Sequence, residues 1–324
     1  MDFFLDLNLK PLTQGIRYQD AIMLIGSCFT EHIGNNLLHH KFAAMQNPHG
    51  ILFDPLSVSH ALERYISGTH YAEADLFFLN EVWHSWHHHS RFSATQPEAA
   101  LSKMNEAVDA AHAFLQQSRW LIITLGSSYS YQLAENQMPV ANCHRAPAQW
   151  FHKHLLGTAE TTAALQHTIT QLQVFNPDLQ IIFTISPVRH IRDGVVANNR
   201  SKSRLIEAVH QLTDQYAHAH YFPAYELVID ILRDYRFYDT DMVHPNYQAT
   251  SFVMDKFSDW GLNPETRDVM AILKPLLIAR QHKVQHPDTE AYRKFMTVHL
   301  QKVQQLQAAH PYLDLSEELA YFGA

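Results

Sequence analysis

Short, uniformly apolar runs alternate along this chain with longer segments of helical periodicity, and this alternation strongly limits the possible folds. The apolar runs are at residues 22–25, 42–45, 120–125, 180–185 and 220–222. Helical periodicity fills residues 30–41, 57–67, 97–117, 159–175 and 199–218. Runs that are apolar at every position are typical of parallel strands covered on both faces. The pattern predicts a doubly wound α/β domain built on a parallel five-stranded sheet.

After the fifth run the pattern becomes helical only. Candidate helices cover residues 246–259, 264–282 and 288–309, and residues 261–264 read Gly-Leu-Asn-Pro, a helix stop followed by a restart. We therefore predict an α/β domain over residues 1–260 and a helical C-terminal extension over 261–324. The sequence leaves open whether the extension covers a site, mediates dimerisation or binds a partner, and it does not give the oligomeric state.

Composition excludes several classes of function. Hydrophobic residues make up 46% and charged residues 17% of the 324 positions, which is typical of a globular protein. The net charge is -8 without a basic cluster, so we expect no nucleic-acid partner. No stretch has the roughly 18 apolar residues of a membrane span, and the first residues lack a signal-peptide pattern. With only Cys28 and Cys143 as thiols, we expect a cytoplasmic protein that does not bind membranes.

A serine stands where the first apolar run ends. Gly26 and Ser27 follow residues 22–25, which places the serine at the carboxyl edge of the sheet, where open α/β folds bind ligands. A serine hydroxyl becomes a nucleophile when an imidazole takes its proton and nearby donors stabilise the oxyanion. The same two residues also suit an ordinary turn that caps the next helix, so the residues alone leave both interpretations open.

An aspartate and a histidine three residues apart follow the last apolar run. At this spacing the carboxylate of Asp241 can accept the Nδ1 proton of His244 and leave Nε2 facing a serine. The alternative is a helix start in which Asp241 or Asp239 is a cap and His244 is an exposed side chain. The chain order of Ser27, Asp241 and His244 favours the hypothesis of a catalytic triad.

Several short segments resemble the GSCFA family. The sequence Gly-Ser-Cys-Phe-Thr at residues 26–30 carries four letters of the motif that names the family, with threonine in place of the final alanine. Further matching segments are at residues 47–51, 124–126, 140–145, 186–189 and 241–246. Together they cover roughly residues 20–255, and the GSCFA family is similar to a branch of the SGNH/GDSL hydrolase superfamily.

The resemblance implies a flavodoxin-like three-layer sandwich of strand order 2-1-3-4-5 that hydrolyses esters without a metal or other cofactor. On this chain it implies Ser27 as the nucleophile, His244 as the base and Asp241 as the orienting acid. It also implies an oxyanion hole made by the N–H groups of Ser27 and Gly50 and by an asparagine that follows the third strand.

The sequence departs from the superfamily at that asparagine. Residues 126–129 read Gly-Ser-Ser-Tyr, so Ser128 occupies the asparagine position. Ser128 itself, a backbone N–H, or Asn142 from the following loop are the candidate replacements. Losing one oxyanion donor typically slows an enzyme about 100- to 1000-fold.

Four further residues are candidate substrate contacts: His89, Arg91, His144 and Arg189. An ordinary turn is the alternative interpretation of the segment that holds His144. The histidines between residues 83 and 92 alternate with aromatic residues, which favours a strand or hairpin at the rim of the site. His84 and His88 have the spacing of two metal ligands, but no acidic partner lies nearby, so no metal site is expected.

The sequence thus predicts a serine-dependent ester hydrolase that forms an acyl-enzyme, with a small-molecule or carbohydrate ester as substrate, for example an O-acetylated sugar. Two alternatives remain: an acyltransferase that uses the same site, and a binding protein that keeps the fold with little catalysis. Cys28 is a rival nucleophile and Asp54 a rival acid. We expect the Cys28 thiol to be packed away and Asp54 to cap the helix that begins at Pro55.

Overall fold

The predicted alternation of strands and helices is present in the computed structural model, which describes residues 5–282 and 286–323. The strands are β1 (Ile22–Gly26), β2 (Ala44–Gln46), β3 (Phe77–Leu79), β4 (Val82–His84), β5 (Trp120–Leu125), β6 (Tyr129–Leu133), β7 (Pro139–Val140), β8 (Phe151–Leu155), β9 (Gln180–Ile185) and β10 (Ala219–Phe222). The helices are α1 (Cys28–His39), α2 (Pro55–Ser67), α3 (Pro97–Gln117), α4 (Thr158–Phe175), α5 (Val195–Gln215), α6 (Ala224–Glu226), α7 (Tyr247–Gly261), α8 (Pro264–Arg280), α9 (Glu290–Ala309) and α10 (Ser316–Phe322), with a π-helical turn at Leu227–Leu232 after α6.

The five predicted strands form one parallel sheet in the order β10-β9-β5-β1-β2. In chain order, β1, β2, β5, β9 and β10 are the first to fifth strands of this sheet. Read from the β2 edge, the strand order is therefore 2-1-3-4-5, as the resemblance implies. The α/β fold class and the five-stranded parallel sheet are confirmed. The strand order reverses between β1 and β5, and their carboxyl ends therefore border the crevice in which such folds bind ligands.

The sheet is held by a core that its own side chains share with four helices. Every residue of β1 and β5 is buried. The side chains of Met23, Ile25, Leu121 and Ile123 pack into one cluster with residues of α2, α3, α4 and α5. Each fully buried aliphatic side chain of this kind contributes about 1.5–3 kcal/mol to folding. This packing fixes the strand ends that carry the candidate site.

Two smaller antiparallel sheets lie in the connections of the main sheet. β3 and β4 form a hairpin, and β6 pairs with both β7 and β8. The hairpin overlaps the predicted one only at its second strand, because the chain beyond His84 forms turns and a short 3₁₀ helix at Ser90–Phe92. The β7-β6-β8 sheet has no counterpart in the sequence prediction.

The chain divides into two compact units, one with residues 5–7, 21–34 and 44–253 and one with 8–20, 35–43 and 254–323. The second unit contains α8, α9 and α10, and in it the buried carboxylate of Glu318 lies 3.1 Å from the cationic groups of both Lys41 and Arg280. The predicted boundary after residue 260 stays a prediction.

Over the residues described, no helix is both long enough and apolar enough to cross a bilayer. Residues 1–4, on which the signal-peptide argument partly rests, lie outside the described residues.

Candidate active site

Ser27 reaches the carboxyl edge of the sheet through a turn that only glycine can make. Gly26 has a φ of +143°, and a β-carbon there would lie 2.1 Å from the carbonyl oxygen of Thr124 on β5. The N–H of Gly26 donates to Oδ1 of Asn47 at 2.9 Å. These contacts bring β1 tightly against β5 and deliver Ser27 directly before the first residue of α1.

The Ser27 side chain is 2% exposed in this structure. Its Oγ accepts a long bond of 3.3 Å from the N–H of Phe29, which is the capping contact expected under the alternative interpretation. Because the bond is at the weak end of the usual range, little energy holds the hydroxyl in that orientation.

Asp241 and His244 form a hydrogen-bonded pair within one loop. Nδ1 of His244 donates to Oδ2 of Asp241 at 2.7 Å, and Oδ1 of Asp241 accepts the N–H groups of Val243 at 2.9 Å and His244 at 3.0 Å. These three hydrogen bonds lower the pKa of Asp241 to about 2, and the bond from the imidazole has the largest effect. An ionised carboxylate accepts only, so the Nδ1 position carries the proton and Nε2 is the free lone pair of the neutral ring.

A further imidazole, that of His190, lies close to Ser27 at this edge of the sheet. A β-carbon on Gly126 would lie 3.2 Å from Cβ of Ser27 and 3.3 Å from Nε2 of His190. Burial is the main reason that the pKa of His190 falls to about 4, and the nearby Lys202 ammonium contributes to the same shift. The backbone N–H of Arg189, the residue before His190, donates to the carbonyl of Val243 at 3.2 Å, which ties the loop of the pair to the segment that follows β9 at this edge. No hydrogen bond joins Ser27 to His244.

The four predicted oxyanion donors are all engaged with other partners, which argues against their predicted role in this conformation. The N–H of Ser27 donates to Thr124, and the N–H of Gly50 donates to the carbonyl of Asn47. The hydroxyl of the fully buried Ser128 donates at 3.1 Å to the carbonyl or hydroxyl oxygen of Ser201 on α5. The side chain of Asn142 donates to Ser90 and accepts the N–H of His144.

One amide beside Ser27 is left without a partner. Asn47 is fully buried, its Oδ1 holds the N–H of Gly26, and its Nδ2 donates to no group. A buried donor without an acceptor costs about 1–3 kcal/mol, so native structures rarely keep one without a use for it. From the sequence, Asn47 belongs to one of the segments that resemble the family, without a predicted role of its own.

Two of the four predicted substrate contacts, His89 and Arg91, lie beside Gly50. Gly50 has a φ of +86°, and a β-carbon there would meet Cβ of His89 at 2.2 Å, so this close approach also requires glycine. The exposed guanidinium of Arg91 donates to the carbonyl of Asn47. Both residues therefore border the loop that supports Ser27.

The other two, His144 and Arg189, have structural partners. The ring of His144 is 7% exposed; its Nε2 donates to the carbonyl of Ser85 at 2.8 Å, and burial lowers its pKa to about 4. These contacts give His144 a role in folding its loop, and it has little surface for a substrate. The guanidinium of Arg189 lies 4.4 Å from the centre of the Tyr238 ring, and the backbone N–H of Arg189 donates to the carbonyl of Val243. These contacts tie Arg189 to the loop of the Asp241–His244 pair.

Two histidines of the 83–92 run, His87 and His88, are packed as neutral rings. His88 stacks on His49, and His87 stacks on His60, with ring centroids 4.1 and 4.0 Å apart. Burial lowers the pKa of each of these four imidazoles. The described part of the chain holds no group of three or more residues arranged as metal ligands.

A buried lysine joins two strand ends at the same edge. Lys202 of α5 is 1% exposed, and its Nζ donates to the carbonyl oxygens of Gly126 at 2.6 Å and Ser186 at 2.5 Å. These carbonyls directly follow β5 and β9. Burial lowers the pKa of Lys202 to about 7, although the neighbouring thiol of Cys28 works in the opposite direction.

The two rivals named from the sequence are placed as expected. Asp54 is buried, and its Oδ1 accepts the N–H groups of Leu56 and Ser57, which caps α2. The thiol of Cys28 is partly buried, and burial raises its pKa, which keeps it protonated and unreactive at neutral pH.

The model of the family described as "GSCFA family" matches residues 21–257, nearly three quarters of the chain. The chain belongs to the GSCFA family. A second model, "GSCFA domain protein, C-terminal domain", matches residues 274–324. The family match covers the Ser27 turn, the Asn47 loop and the Asp241–His244 pair of this GSCFA protein.

Among solved structures, the GSCFA protein is similar to an acetyl xylan esterase from the rumen bacterium Butyrivibrio proteoclasticus. The two are 12% identical with a TM-score of 0.38, and the match covers 75% of the GSCFA protein and 65% of the esterase chain. The GSCFA protein thus spans less than two thirds of that structure. No curated protein sequence matches it.

Proposed function

We propose that this GSCFA protein is a serine-dependent ester hydrolase of the SGNH/GDSL type. The observation that carries the proposal is the bond of 2.7 Å between Asp241 and Nδ1 of His244, in a loop that a backbone bond from Arg189 to Val243 ties to the segment after β9, at the same sheet edge as Ser27. An imidazole oriented by an ionised carboxylate is the base that a serine nucleophile needs.

In the proposed reaction, Ser27 leaves its contact with Phe29 and turns its Oγ toward Nε2 of His244. Oγ attacks the acyl carbonyl as His244 takes its proton, and Asp241 stabilises the imidazolium. The collapse of the tetrahedral intermediate breaks the bond to the alcohol, which leaves with the proton from His244. Water then attacks the acyl-enzyme, with His244 again as base, and the acid and free Ser27 are released.

The unpartnered amide of Asn47 is the best placed group for the oxyanion. Its Oδ1 accepts the N–H of Gly26, the residue before the nucleophile, and its Nδ2 is a buried donor without an acceptor. A preorganised donor of this kind accelerates acyl transfer because it costs no reorganisation when the negative charge develops.

Replacing Asn47 with aspartate tests this role, because Asn47→Asp keeps the acceptor for Gly26 and removes the donor. We expect kcat for an activated acetate ester to fall about 100- to 1000-fold, with a much smaller change in KM. Ser128→Ala is the matched control and should keep kcat within about threefold of the parent. The opposite ranking of the two variants would return the oxyanion role to Ser128.

The substrate we propose is a small-molecule or carbohydrate ester with a short acyl group. The sheet edge near Ser27 is crowded, since a β-carbon on Gly126 would lie 2.9 Å from Cβ of Phe53 and 3.3 Å from Nε2 of His190. A short acyl group such as acetyl fits this space more easily than a long chain.

Labelling with a fluorophosphonate tests whether Ser27 is a nucleophile. The probe reacts only with a serine that a base activates, and peptide mapping by mass spectrometry locates the adduct. We expect a single adduct on Ser27, its absence in Ser27→Ala, and competition by acetate esters. Modification of Cys28 in place of Ser27, or no adduct at all on a folded protein, would contradict the proposal, and the second result would favour the binding-protein alternative.

A further inference from the structure

A cleft of about 420 Å³ lies outside the candidate active site, and its lining includes six residues that share an unusual composition. Four are aromatic and two are polar: Phe77, Phe78, Trp86, Trp150, Glu135 and Gln149. We call this site the aromatic cleft. Its volume falls within the roughly 300–1,000 Å³ of small-molecule pockets, which are also mostly apolar with a few polar groups.

The aromatic cleft combines fixed rings with exposed ones. Phe77 stacks on the buried Trp86 with ring centroids 3.5 Å apart and planes within 8°. Phe78 on the β3–β4 hairpin is 57% exposed, and Trp150, which precedes β8, is 41% exposed. The two exposed rings come from different elements and line the same cleft, so together they offer an apolar surface that the protein's own core leaves uncovered.

The polar residues of the cleft are free to bind a ligand. Glu135 and Gln149 are exposed and take part in no hydrogen bond or ion pair. Among the residues that the structure describes, no cationic side chain lines the cleft, so an anionic ligand would be repelled by the Glu135 carboxylate. A purely apolar ligand would desolvate both polar groups without a replacement partner.

We propose that the aromatic cleft is a subsite for a neutral sugar ring of a carbohydrate chain. A pyranose presents C–H groups on its faces, which pack on aromatic rings, and hydroxyl groups at its edge, which donate to a carboxylate and bond with an amide. A sugar ring therefore provides partners for both the aromatic and the polar groups of the cleft. The link to catalysis rests on the proposed function, since the chain would carry the ester that Ser27 cleaves.

The position of the cleft fits a chain more than a single sugar. β6 starts at Tyr129, directly after Ser128 at the carboxyl edge of the main sheet, and ends at Leu133 beside the cleft. Four steps of a strand cover roughly 13 Å at about 3.3 Å per residue. A ligand must therefore extend over several rings to occupy the aromatic cleft and present an ester near Ser27.

Binding is measured on the catalytically disabled Ser27→Ala protein by titration calorimetry. The probes are neutral xylo-, cello-, manno- and chito-oligosaccharides of increasing length. We expect at least one series to bind, with affinity rising with length, and Trp150→Ala to weaken it at least about tenfold, as the loss of a central aromatic contact does. Phe78→Ala and Glu135→Gln should each weaken it by a smaller factor. Tyr312→Ala removes an aromatic side chain of similar exposure, 40%, in the second unit and should leave binding unchanged.

Hydrolysis separates this inference from the proposed function. With Ser27 intact, Trp150→Ala should hydrolyse a small acetate ester at the parent rate and an acetylated oligosaccharide more slowly. If Ser27→Ala loses no activity, the proposed function is wrong, whereas sugar binding can still be measured. The subsite is wrong if no oligosaccharide binds at about 10 mM, or if Trp150→Ala binds as the parent does. Tighter binding of tetramethylammonium than of any sugar would overturn it in favour of a cationic ligand.

Discussion

Replacing His244 with alanine is expected to lower kcat/KM for an activated acetate ester about 10³- to 10⁴-fold. Without the imidazole, no oriented base takes the proton of Ser27, and no acid returns it to the leaving alcohol. The side chain of His244 is 45% exposed and its main partner is Asp241, so the variant should unfold at the parent's temperature. Asp241→Asn should also lose most activity, because an amide can hold the wrong tautomer of the imidazole.

His190→Ala is the control for this experiment. Its imidazole lies close to Ser27, and it is neutral at pH 7 because burial lowers its pKa to about 4. It lacks an acidic partner, since its Nε2 is unpaired and its backbone N–H bonds to Asn198. We expect His190→Ala to retain activity within about tenfold of the parent. A large loss there, together with an active His244→Ala, would move the base to His190.

The free energy of unfolding is expected to rise with pH above about pH 7 in the parent, and Lys202→Met is expected to remove this dependence. The pKa of Lys202 is lowered from 10.5 to about 7 by burial. Below pH 7 both the folded and the unfolded states hold the proton. Between pH 7 and 10.5 the folded state has released it and the unfolded state has not, so stability rises by up to about 1.4 kcal/mol per pH unit.

Urea unfolding of the parent and Lys202→Met between about pH 6 and about pH 8.5 measures this difference. The raised pKa of the Cys28 thiol acts in the opposite direction near pH 9, which is why the range stops below it. The stability of the parent relative to the variant should increase across the range. A constant difference would show that Lys202 keeps its charge and that its two carbonyl contacts compensate for its burial.

The main sheet could be predicted because its signal is local. β1, β5 and β9 are almost entirely buried, so each is an unbroken apolar run in the sequence, and the helices between them have their own periodicity. The sheet of β6, β7 and β8 could not be found this way. β6 reads Tyr-Ser-Tyr-Gln-Leu and is only half buried, and β7 has two residues. Their structure depends on pairing between residues far apart in the chain.

In the candidate site too, a contact could be predicted only where its signal is local in the sequence. The Asp241–His244 contact follows from a spacing of three residues within one loop, and the structure contains it. Lys202 lies in a helical segment with charged and polar neighbours, where a lysine normally faces solvent. Its burial depends on the ends of β5 and β9, which are far apart in the sequence and adjacent in the sheet. The free amide of Asn47 likewise depends on the approach of β1 to the loop after β2.

Because many histidines are packed inside the protein, its net charge in mild acid differs from the charge that its composition suggests. Histidine occupies 24 positions, which suggests a chain whose charge changes steeply between about pH 5 and pH 7. Ten of these rings have a lowered pKa because they are buried. The folded protein therefore takes up fewer protons than its sequence allows, and its electrophoretic mobility in mild acid reports on the fold as much as on the composition.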